Sequence, residues 1–393
     1  RRAQLTLMLA TLVPTVLMGA TLPVLSRFFV TRFQQLGRRL GDLYAINTAG
    51  AVAGCAAAGF VLIPTLGLRA STILAAGINL GIAALIIGLR WAAPWAMAPR
   101  VVEEAAGPRA VGARVRRTRL EILVLVGFGL SGAAAMILQN AWTRALTMVI
   151  GSSTYSFTLM LTTFLTGLAA GSFLYARTWS GRGVRAGGFG GLEIAIGLAA
   201  LATIPLFEEL PFLFLRLRRG FADSFEMLLA VQGSVAFLVM IGPTLLLGAT
   251  FPVVARLFTQ SLYTLASSVG TAYACNTLGA IGGAFLGGFV LIPLVGVQGS
   301  IYVAVGLTLA TGVALVLADP APRLGTRLAA SGVAVGALAG ALLLVPGWDR
   351  AVVTSGVTVY PDKFDKYPNK RLMREAMQRD ALVFYREGLT ATI

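Results

Sequence analysis

The residues of this sequence that could do chemistry are a few polar side chains set inside long apolar segments. Tyr44 and Asn47 lie three positions apart, and Tyr273 and Asn276 repeat the pair at the same spacing. Residues three apart share one face of a helix, and a polar group inside a membrane helix is costly unless it has a partner or a function. The two pairs could therefore face each other and contact a ligand, or they could form interhelical hydrogen bonds that fix the packing of two halves.

Two further polar features fall within or beside predicted spans. Gln139, Asn140 and Arg144 lie where one predicted span ends, so they either line a cavity or form a polar helix end. Glu193 is the one acidic residue in the interior of a predicted span, because Glu121 is the first residue of its span. Glu193 follows Gly187-Gly188 by a few residues, so it is either a carboxylate at a helix start, favoured by the helix dipole, or a group for proton coupling.

No metal site, nucleophile–base pair or phosphate-binding loop can be assigned. Histidine is absent, which removes the commonest general base and metal ligand. Cys55 and Cys275 lie at non-equivalent places in apolar segments, as small buried side chains do. The sequence therefore predicts no catalytic residue, no cofactor-binding residue and no metal ligand in these 393 residues.

The elements that must position these side chains are membrane helices. Hydrophobic residues make up 57% of the chain and charged residues 12%, whereas about a quarter of residues are charged in soluble domains. Apolar stretches of roughly 20 residues, which suffice to cross a ~30 Å hydrocarbon core, recur almost throughout. We predict an all-α polytopic membrane protein with ten spans, near 5–28, 43–66, 70–91, 121–140, 154–177, 188–206, 227–254, 270–294, 299–318 and 325–346.

The chain contains an internal repeat. Residues 14–71 align without a gap to residues 243–300 at an offset of 229, and 27 of the 58 positions are identical. This indicates a duplicated unit. Spans one to three match spans seven to nine, so both copies should cross in the same sense, as in a major-facilitator-like parallel repeat. Spans four to six have no counterpart ahead of the first copy, so we expect three further spans before residue 1.

The net charge of +16 indicates membrane topology rather than nucleic-acid binding. Residues 27–40, 90–119, 177–187, 256 and 319–327 hold 17 of the 24 arginines found before residue 347. The positive-inside rule places these segments in the cytoplasm and the tail, residues 347–393, on the other side. The expected partners are the lipid bilayer, a downstream soluble domain, and a homo-oligomer or membrane-complex partner.

The predicted organisation has five parts. They are a partial first membrane repeat (1–92), a basic cytoplasmic linker (93–120), a second repeat (121–318), an extra transmembrane helix (319–346) and the tail (347–393). Residues 207–224 are too charged to span, so we expect them along the interface. The tail should begin a soluble domain, with strands at 351–354 and 381–385 around a helix-prone 361–380. Its few apolar residues cannot form an independent core.

A series of motifs runs through the membrane part and the tail. They are Ser131-Gly132, Trp142-Thr143-Arg144, residues 151–155 (GSSTY), residues 167–172 (GLAAGS), Leu192-Glu193, residues 248–252 (GATFP), residues 273–280 (YACNTLGA), Trp348-Asp349-Arg350, Thr354-Ser355-Gly356, Tyr385-Arg386-Glu387-Gly388 and Ala391-Thr392. Their order resembles bacterial fused membrane proteins in which a transporter-like helical region precedes a spermidine synthase-like, polyamine aminopropyltransferase-like domain. One departure is Leu138-Gln139, where that family commonly has Tyr-Glu.

The resemblance implies a bacterial inner membrane location and a domain beyond Ile393 that binds decarboxylated S-adenosylmethionine. It assigns no catalytic residue to this chain. It also conflicts with the arginine distribution, because aminopropyl transfer needs a cytoplasmic cosubstrate. Either one span between 188 and 257 is miscounted, or the soluble domain is not an ordinary polyamine synthase.

Three functions follow from these observations. The first is a membrane-tethered, spermidine synthase-like transferase whose helices anchor it or handle its substrate. The second is a transporter of small cationic amines, with a polar cavity lined by Tyr44, Asn47, Tyr273 and Asn276. The third is a non-catalytic scaffold or accessory subunit of a larger membrane complex.

Overall fold

The computed structural model describes residues 2–93, 118–181, 183–221, 224–262, 264–379, 385, 387 and 388. Helices dominate this part of the chain, and it contains no strand. The long helices are α1 (Arg2–Phe29), α2 (Leu36–Ala57), α3 (Ile63–Ala92), α4 (Arg119–Ile150), α5 (Thr154–Thr178), α6 (Ala186–Phe221), α7 (Phe225–Phe258), α8 (Leu265–Phe285), α9 (Ile292–Ala318) and α10 (Leu324–Leu344). Three short helices follow in the tail: α11 (Arg350–Val353), α12 (Pro361–Asp365) and α13 (Lys370–Arg379).

Seven helical stretches of the described residues are long and apolar enough to cross a membrane. They are Phe33–Ala92, Arg119–Ile150, Thr154–Thr178, Ala186–Gly220, Phe225–Phe258, Leu265–Ala318 and Leu324–Leu344. This confirms an all-α polytopic membrane protein. The predicted number of spans was ten. The 60-residue and 54-residue stretches each cover two predicted spans, and the span predicted at 5–28 lies in α1, outside these seven.

Each of the two longest stretches contains a glycine whose backbone is not helical. Gly67 has φ 76° and ψ 169°, and Gly296 has φ 77° and ψ 175°. Only glycine adopts this region readily, because it has no Cβ atom. A π-helical segment precedes each glycine, at Ala58–Leu62 and at Leu286–Leu291. Both stretches are therefore kinked at this glycine, within α3 and within α9.

α6 extends far beyond one membrane thickness. Its 36 residues span about 54 Å at 1.5 Å per residue, compared with a ~30 Å hydrocarbon core. Residues 207–221 continue this helix, so the prediction that they lie along the interface is wrong. Phe207, Phe214 and Leu215 are fully buried there, in an apolar cluster that the extension shares with α7 and the tail.

Two clusters of buried apolar side chains hold the molecule together. One joins α4, α6, α7 and α9 around residues such as Trp142, and it includes Val352, Phe364 and Met377 of the tail. The other joins α1, α2, α7 and α8 around residues such as Phe251. The described part of the tail thus shares the core of the bundle.

The tail differs from its predicted β structure. Residues 350–353 form α11, because Asp349 accepts a hydrogen bond from the Ala351 N–H at 3.1 Å and caps the turn. Val352 and Val353 are buried, so packing overrides their preference for strands. Helices α12 and α13 confirm the helix-prone segment 361–380. Residues 381–384 of the second predicted strand and residues 94–117 of the predicted linker lie outside the described residues.

Candidate functional site

A cavity of about 340 Å³ lies where the tail meets the kink at Gly296 in α9. Its walls come from the kink, from α10 and the residue after it, and from the tail. They are residues 295–299, Tyr302, Leu342, Val345, Gly347, Trp348, Arg350, Tyr385 and Glu387. Among its walls are one carboxylate, one guanidinium and three aromatic rings.

The Glu387 carboxylate caps the part of α9 that follows the kink. It accepts one hydrogen bond from the Val297 N–H and another from the Tyr385 hydroxyl. The kink at Gly296 makes Val297 the start of a helix, where the N–H groups lack helical partners and negative charge is favoured. The position of the tail is therefore coupled directly to the kink.

Tyr385 connects the two charged groups of this cavity. Burial raises the pKa of its hydroxyl, and the hydrogen bond to Glu387 and the negative charge of that carboxylate raise the pKa further. The Arg350 guanidinium lies 4.8 Å from the centre of the Tyr385 ring and acts in the opposite direction. Tyr385 therefore remains a hydrogen-bond donor at neutral pH.

Gln298 and Trp348 make a second joint beside the cavity. The Trp348 N–H donates to Gln298 Oε1 at 3.0 Å, and its indole Nε1 donates to the Ile204 carbonyl at 2.8 Å. The indole ring also packs on Phe207, with the ring centroids 4.9 Å apart. Buried indole groups are stabilised by such combined polar and apolar contacts. The first residues after α10 are thus fixed against α6.

A charged clamp joins the extension of α6 to the tail. It comprises Glu208, Glu209, Arg218 and Arg219 of α6 and Asp362, Asp365, Lys370 and Arg374 of the tail. Arg218 Nη1 lies 2.8 Å from Asp365 Oδ2, and Arg219 Nε lies 3.2 Å from Asp365 Oδ1. Arg219 Nη2 also donates to the carbonyls of Phe364 at 2.8 Å and Tyr367 at 3.0 Å.

The other half of the clamp has the opposite polarity. Arg374 Nη1 lies 2.8 Å from Glu208 Oε1, and Lys370 Nζ donates to Glu209 Oε2 at 2.6 Å. Acidic and basic residues of α6 thus meet basic and acidic residues of the tail in register. A single isolated surface pair contributes little, whereas such a network specifies one docking geometry.

The structure brings Tyr44 and Tyr273 together. The Tyr44 ring stacks on Phe251 with centroids 4.8 Å apart, and the Tyr273 ring meets Phe251 edge-on at 6.1 Å. Both tyrosines therefore lie where α2 and α8 approach α7.

Asn47 and Asn276 do not lie in one site with the two tyrosines. Asn276 Nδ2 donates to the Phe128 carbonyl of α4 at 3.0 Å, which is the interhelical hydrogen bond of the packing alternative. Asn47 is exposed on α2. The cavity predicted for a transporter, lined by all four residues, is therefore not formed by their described positions.

Gln139, Asn140 and Arg144 lie inside α4, which continues to Ile150. The prediction of a polar helix end is wrong, because buried residues such as Trp142 and Leu146 extend the helix. Asn140 Nδ2 donates to the Ala284 carbonyl of α8 at 3.0 Å, and Arg144 Nη2 donates to the Gly388 carbonyl at 3.3 Å. Gln139 is half-buried. Two of the three side chains thus tie α4 to other parts of the chain.

Glu193 lies deep in α6 with none of its side chain exposed. Neither carboxylate oxygen has a hydrogen-bond partner among the described residues. Ser131 of α4 lies beside it, outside hydrogen-bonding geometry. The start of α6 is capped by another residue, Asp319, which accepts a hydrogen bond from the Gly187 N–H at 2.9 Å. Glu193 therefore does not act as the helix-start carboxylate.

The sequence reasoning missed Glu387, Asp319 and the clamp. The opposite charges of the clamp were visible in the sequence, but Arg218 and Asp365 are 147 positions apart, and no local pattern pairs residues so distant. No family model, curated protein or solved structure matches the chain.

Proposed function

We propose that this chain is the membrane-embedded region of a spermidine synthase-like fused protein, and that it holds the region beginning at residue 347 in one orientation against the bundle. The observation that carries the proposal is the clamp. Pairing long charged side chains costs rotamer entropy, so a merely tethered tail would not order them. The motifs of the tail resemble those of fused proteins with a spermidine synthase-like domain, and this resemblance supports the identity proposed for the region that begins at residue 347.

Apolar burial reinforces the clamp. Phe364, Met373 and Met377 of the tail are 2%, 5% and 4% exposed, and they belong to the same buried cluster as α4, α6, α7 and α9. Burying side chains of this size contributes about 1.5–3 kcal/mol each. On this proposal the helical bundle fixes the orientation of the soluble domain that follows it, and that domain binds decarboxylated S-adenosylmethionine.

We further infer ten membrane crossings arranged as a parallel two-fold repeat. The inference is supported by matching local geometry at the offset of 229. α1 and α7 end at Phe29 and Phe258, α2 and α8 begin at Leu36 and Leu265, and the kinks fall at Gly67 and Gly296. Counting each kinked stretch as two crossings and adding α1 gives ten.

Contacts between the copies support the same sense of crossing. Tyr44 of α2 stacks on Phe251 of α7, and Pro23 of α1 lies beside Gly270 of α8. Because α1 corresponds to α7 and α2 to α8, a two-fold axis would convert the α1–α8 contact into the α2–α7 contact. The Arg256 guanidinium, at the end of α7, lies 4.4 Å from the ring centre of Phe33, which follows α1. α1 and α7 thus end on one side, as expected for parallel copies.

The tail is proposed to lie on the non-cytoplasmic side of a bacterial inner membrane. Its contacts are made to the extension of α6, to the end of α4 and to the kink at Gly296 in α9. The arginine-rich segments lie at the opposite ends of these helices, and such segments remain cytoplasmic.

The anchoring role is tested by breaking the clamp. In protein reconstituted into lipid nanodiscs, Arg218→Glu with Arg219→Glu should expose Lys363 and Lys366 to faster trypsin cleavage. Adding Asp365→Arg should restore part of the protection at Lys363 and Lys366, which mass spectrometry distinguishes from cleavage at the new arginine, and Arg216→Glu, an exposed neighbour on α6, should have no effect. Unchanged cleavage in the double variant would show that the clamp does not hold the tail. Aminopropyl transfer to a diamine by membranes containing the protein tests the transferase resemblance separately.

A further inference from the structure

Four helix-packing positions recur in both copies of the repeat. At the offset of 229 they are Gly19 and Gly248, Asn47 and Asn276, Gly50 and Gly279, and Gly54 and Gly283. Identical residue types at these positions would be expected if both copies packed the same kind of neighbour. Their surroundings in the two copies can therefore be compared one by one.

In the second copy all four positions touch another helix closely. A Cβ atom added at Gly279 would lie 1.7 Å from the Gly129 carbonyl oxygen, and one at Gly283 would lie 2.2 Å from that of Ala133. The main chain of α4 therefore passes directly over these glycines, and the amide of Asn276 donates to α4 beside them. Gly248 meets the Leu168 carbonyl of α5 in the same way, at 2.2 Å.

In the first copy the same positions are open. A Cβ atom at Gly19, Gly50 or Gly54 would have no described atom within 4 Å, and Asn47 is exposed. An exposed amide in hydrocarbon is unfavourable, and a glycine without a close neighbour weakens a helix relative to alanine. These residues are favourable only if another helix covers them.

We propose that the face of α1 and α2 that carries Gly19, Asn47, Gly50 and Gly54 is the docking surface for a pair of transmembrane helices of the α4–α5 type. One helix has small residues four positions apart, as Gly129 and Ala133 are in α4, and one of its main-chain carbonyls accepts a hydrogen bond from Asn47. The other helix passes over Gly19 as α5 passes over Gly248. This inference rests on the proposed repeat and not on the anchoring role.

A second copy of this chain does not fit the surface. The faces of its α4 and α5 that have the required small residues are already covered by its own α8 and α7, as the contacts of Gly279 and Gly248 show. The occupant is therefore a separate pair of helices with the same chemistry, close enough to the backbone of α2 to require glycine there.

The surface is tested by photo-crosslinking in native membranes. A diazirine amino acid replaces Ala51, which is exposed on this face of α2 and leaves the four positions intact. The control site is Leu74, because it and its counterpart Val303 are 41% and 42% exposed, so both copies present this position to lipid. Mass spectrometry then identifies what each site has labelled.

Position 51 should label an apolar helical peptide from outside residues 1–393 with Gly, Ala or Ser four positions apart, whereas position 74 should label lipid. Gly50→Leu with Gly54→Leu should abolish the peptide adduct while tail resistance to trypsin is unchanged, which separates this result from a failure of the anchoring role. Four results at position 51 would each overturn the proposal. They are a lipid adduct, no adduct, labelling of a peptide from a second copy of this chain, and labelling of a peptide that lacks small residues four positions apart.

Discussion

Glu193 shows how the surroundings of one residue limit its role. Its carboxylate is fully buried in α6 and has no hydrogen-bond partner among the described residues. Glu121 of α4 and Arg256 of α7 lie near the ends of their helices, and neither Arg144 of α4 nor Tyr302 of α9 is a hydrogen-bond partner of this carboxylate. Burying a charged group without a partner costs several kcal/mol, and a neutral amide of the same shape costs less.

We predict that Glu193→Gln leaves the free energy of unfolding unchanged or raises it by about 1 kcal/mol. The measurement is the unfolding midpoint of the protein in lipid nanodiscs. Glu193→Ala is the matched control, and it should lower stability by about 1–3 kcal/mol because it leaves a void. If Gln destabilises as much as Ala, the carboxylate itself is needed, which would favour the proton-coupling alternative.

At the scale of elements, the two kinks are the same backbone feature in different surroundings. Gly67 and Gly296 have nearly the same φ and ψ. A Cβ atom at Gly67 would meet nothing described within 4 Å, whereas one at Gly296 would lie 2.9 Å from Glu387 Oε2. The second kink alone is therefore coupled to the tail.

Gly67→Ala should lower the free energy of unfolding by about 1–3 kcal/mol, because alanine is strained at this φ and ψ. Gly296→Ala should lower it by about 1 kcal/mol more, because it also displaces the Glu387 carboxylate that caps the helix at Val297. Unfolding midpoints give both values, and trypsin should cleave the tail faster only in Gly296→Ala. Equal losses with equal tail protection would contradict the coupling.

At the scale of the whole molecule, the helix ends fall on two sides. The loop between α5 and α6 belongs to the arginine-rich segments. The tail packs at the C-terminal ends of α4 and α6, on the opposite side. Gly183 in that loop and Val359 in the tail are both exposed. They can therefore report the sidedness of the protein.

Single cysteines at Gly183 and Val359, in a background lacking Cys55 and Cys275, should differ in labelling by a membrane-impermeant maleimide. In spheroplasts we expect Val359→Cys to be labelled and Gly183→Cys to be protected until the membrane is opened. The reverse pattern would place the tail in the cytoplasm, and it would remove the conflict between the topology and an ordinary polyamine synthase.

The sequence by itself determined the class of protein and most helix positions. These follow from a local property, the presence of apolar segments of membrane-spanning length. The sequence also shows the offset of 229, at which Gly67 and Gly296 adopt nearly the same backbone geometry.

Only the tertiary structure decided how the polar residues are used. Asn276 is bonded while its copy Asn47 is exposed, residues 350–353 form a helix despite two valines, and the acidic residue that starts α6 is Asp319 rather than Glu193. Each outcome depends on a neighbour far away in the chain. Local propensities are worth a few tenths of a kcal/mol per residue, and burial against a distant helix outweighs them.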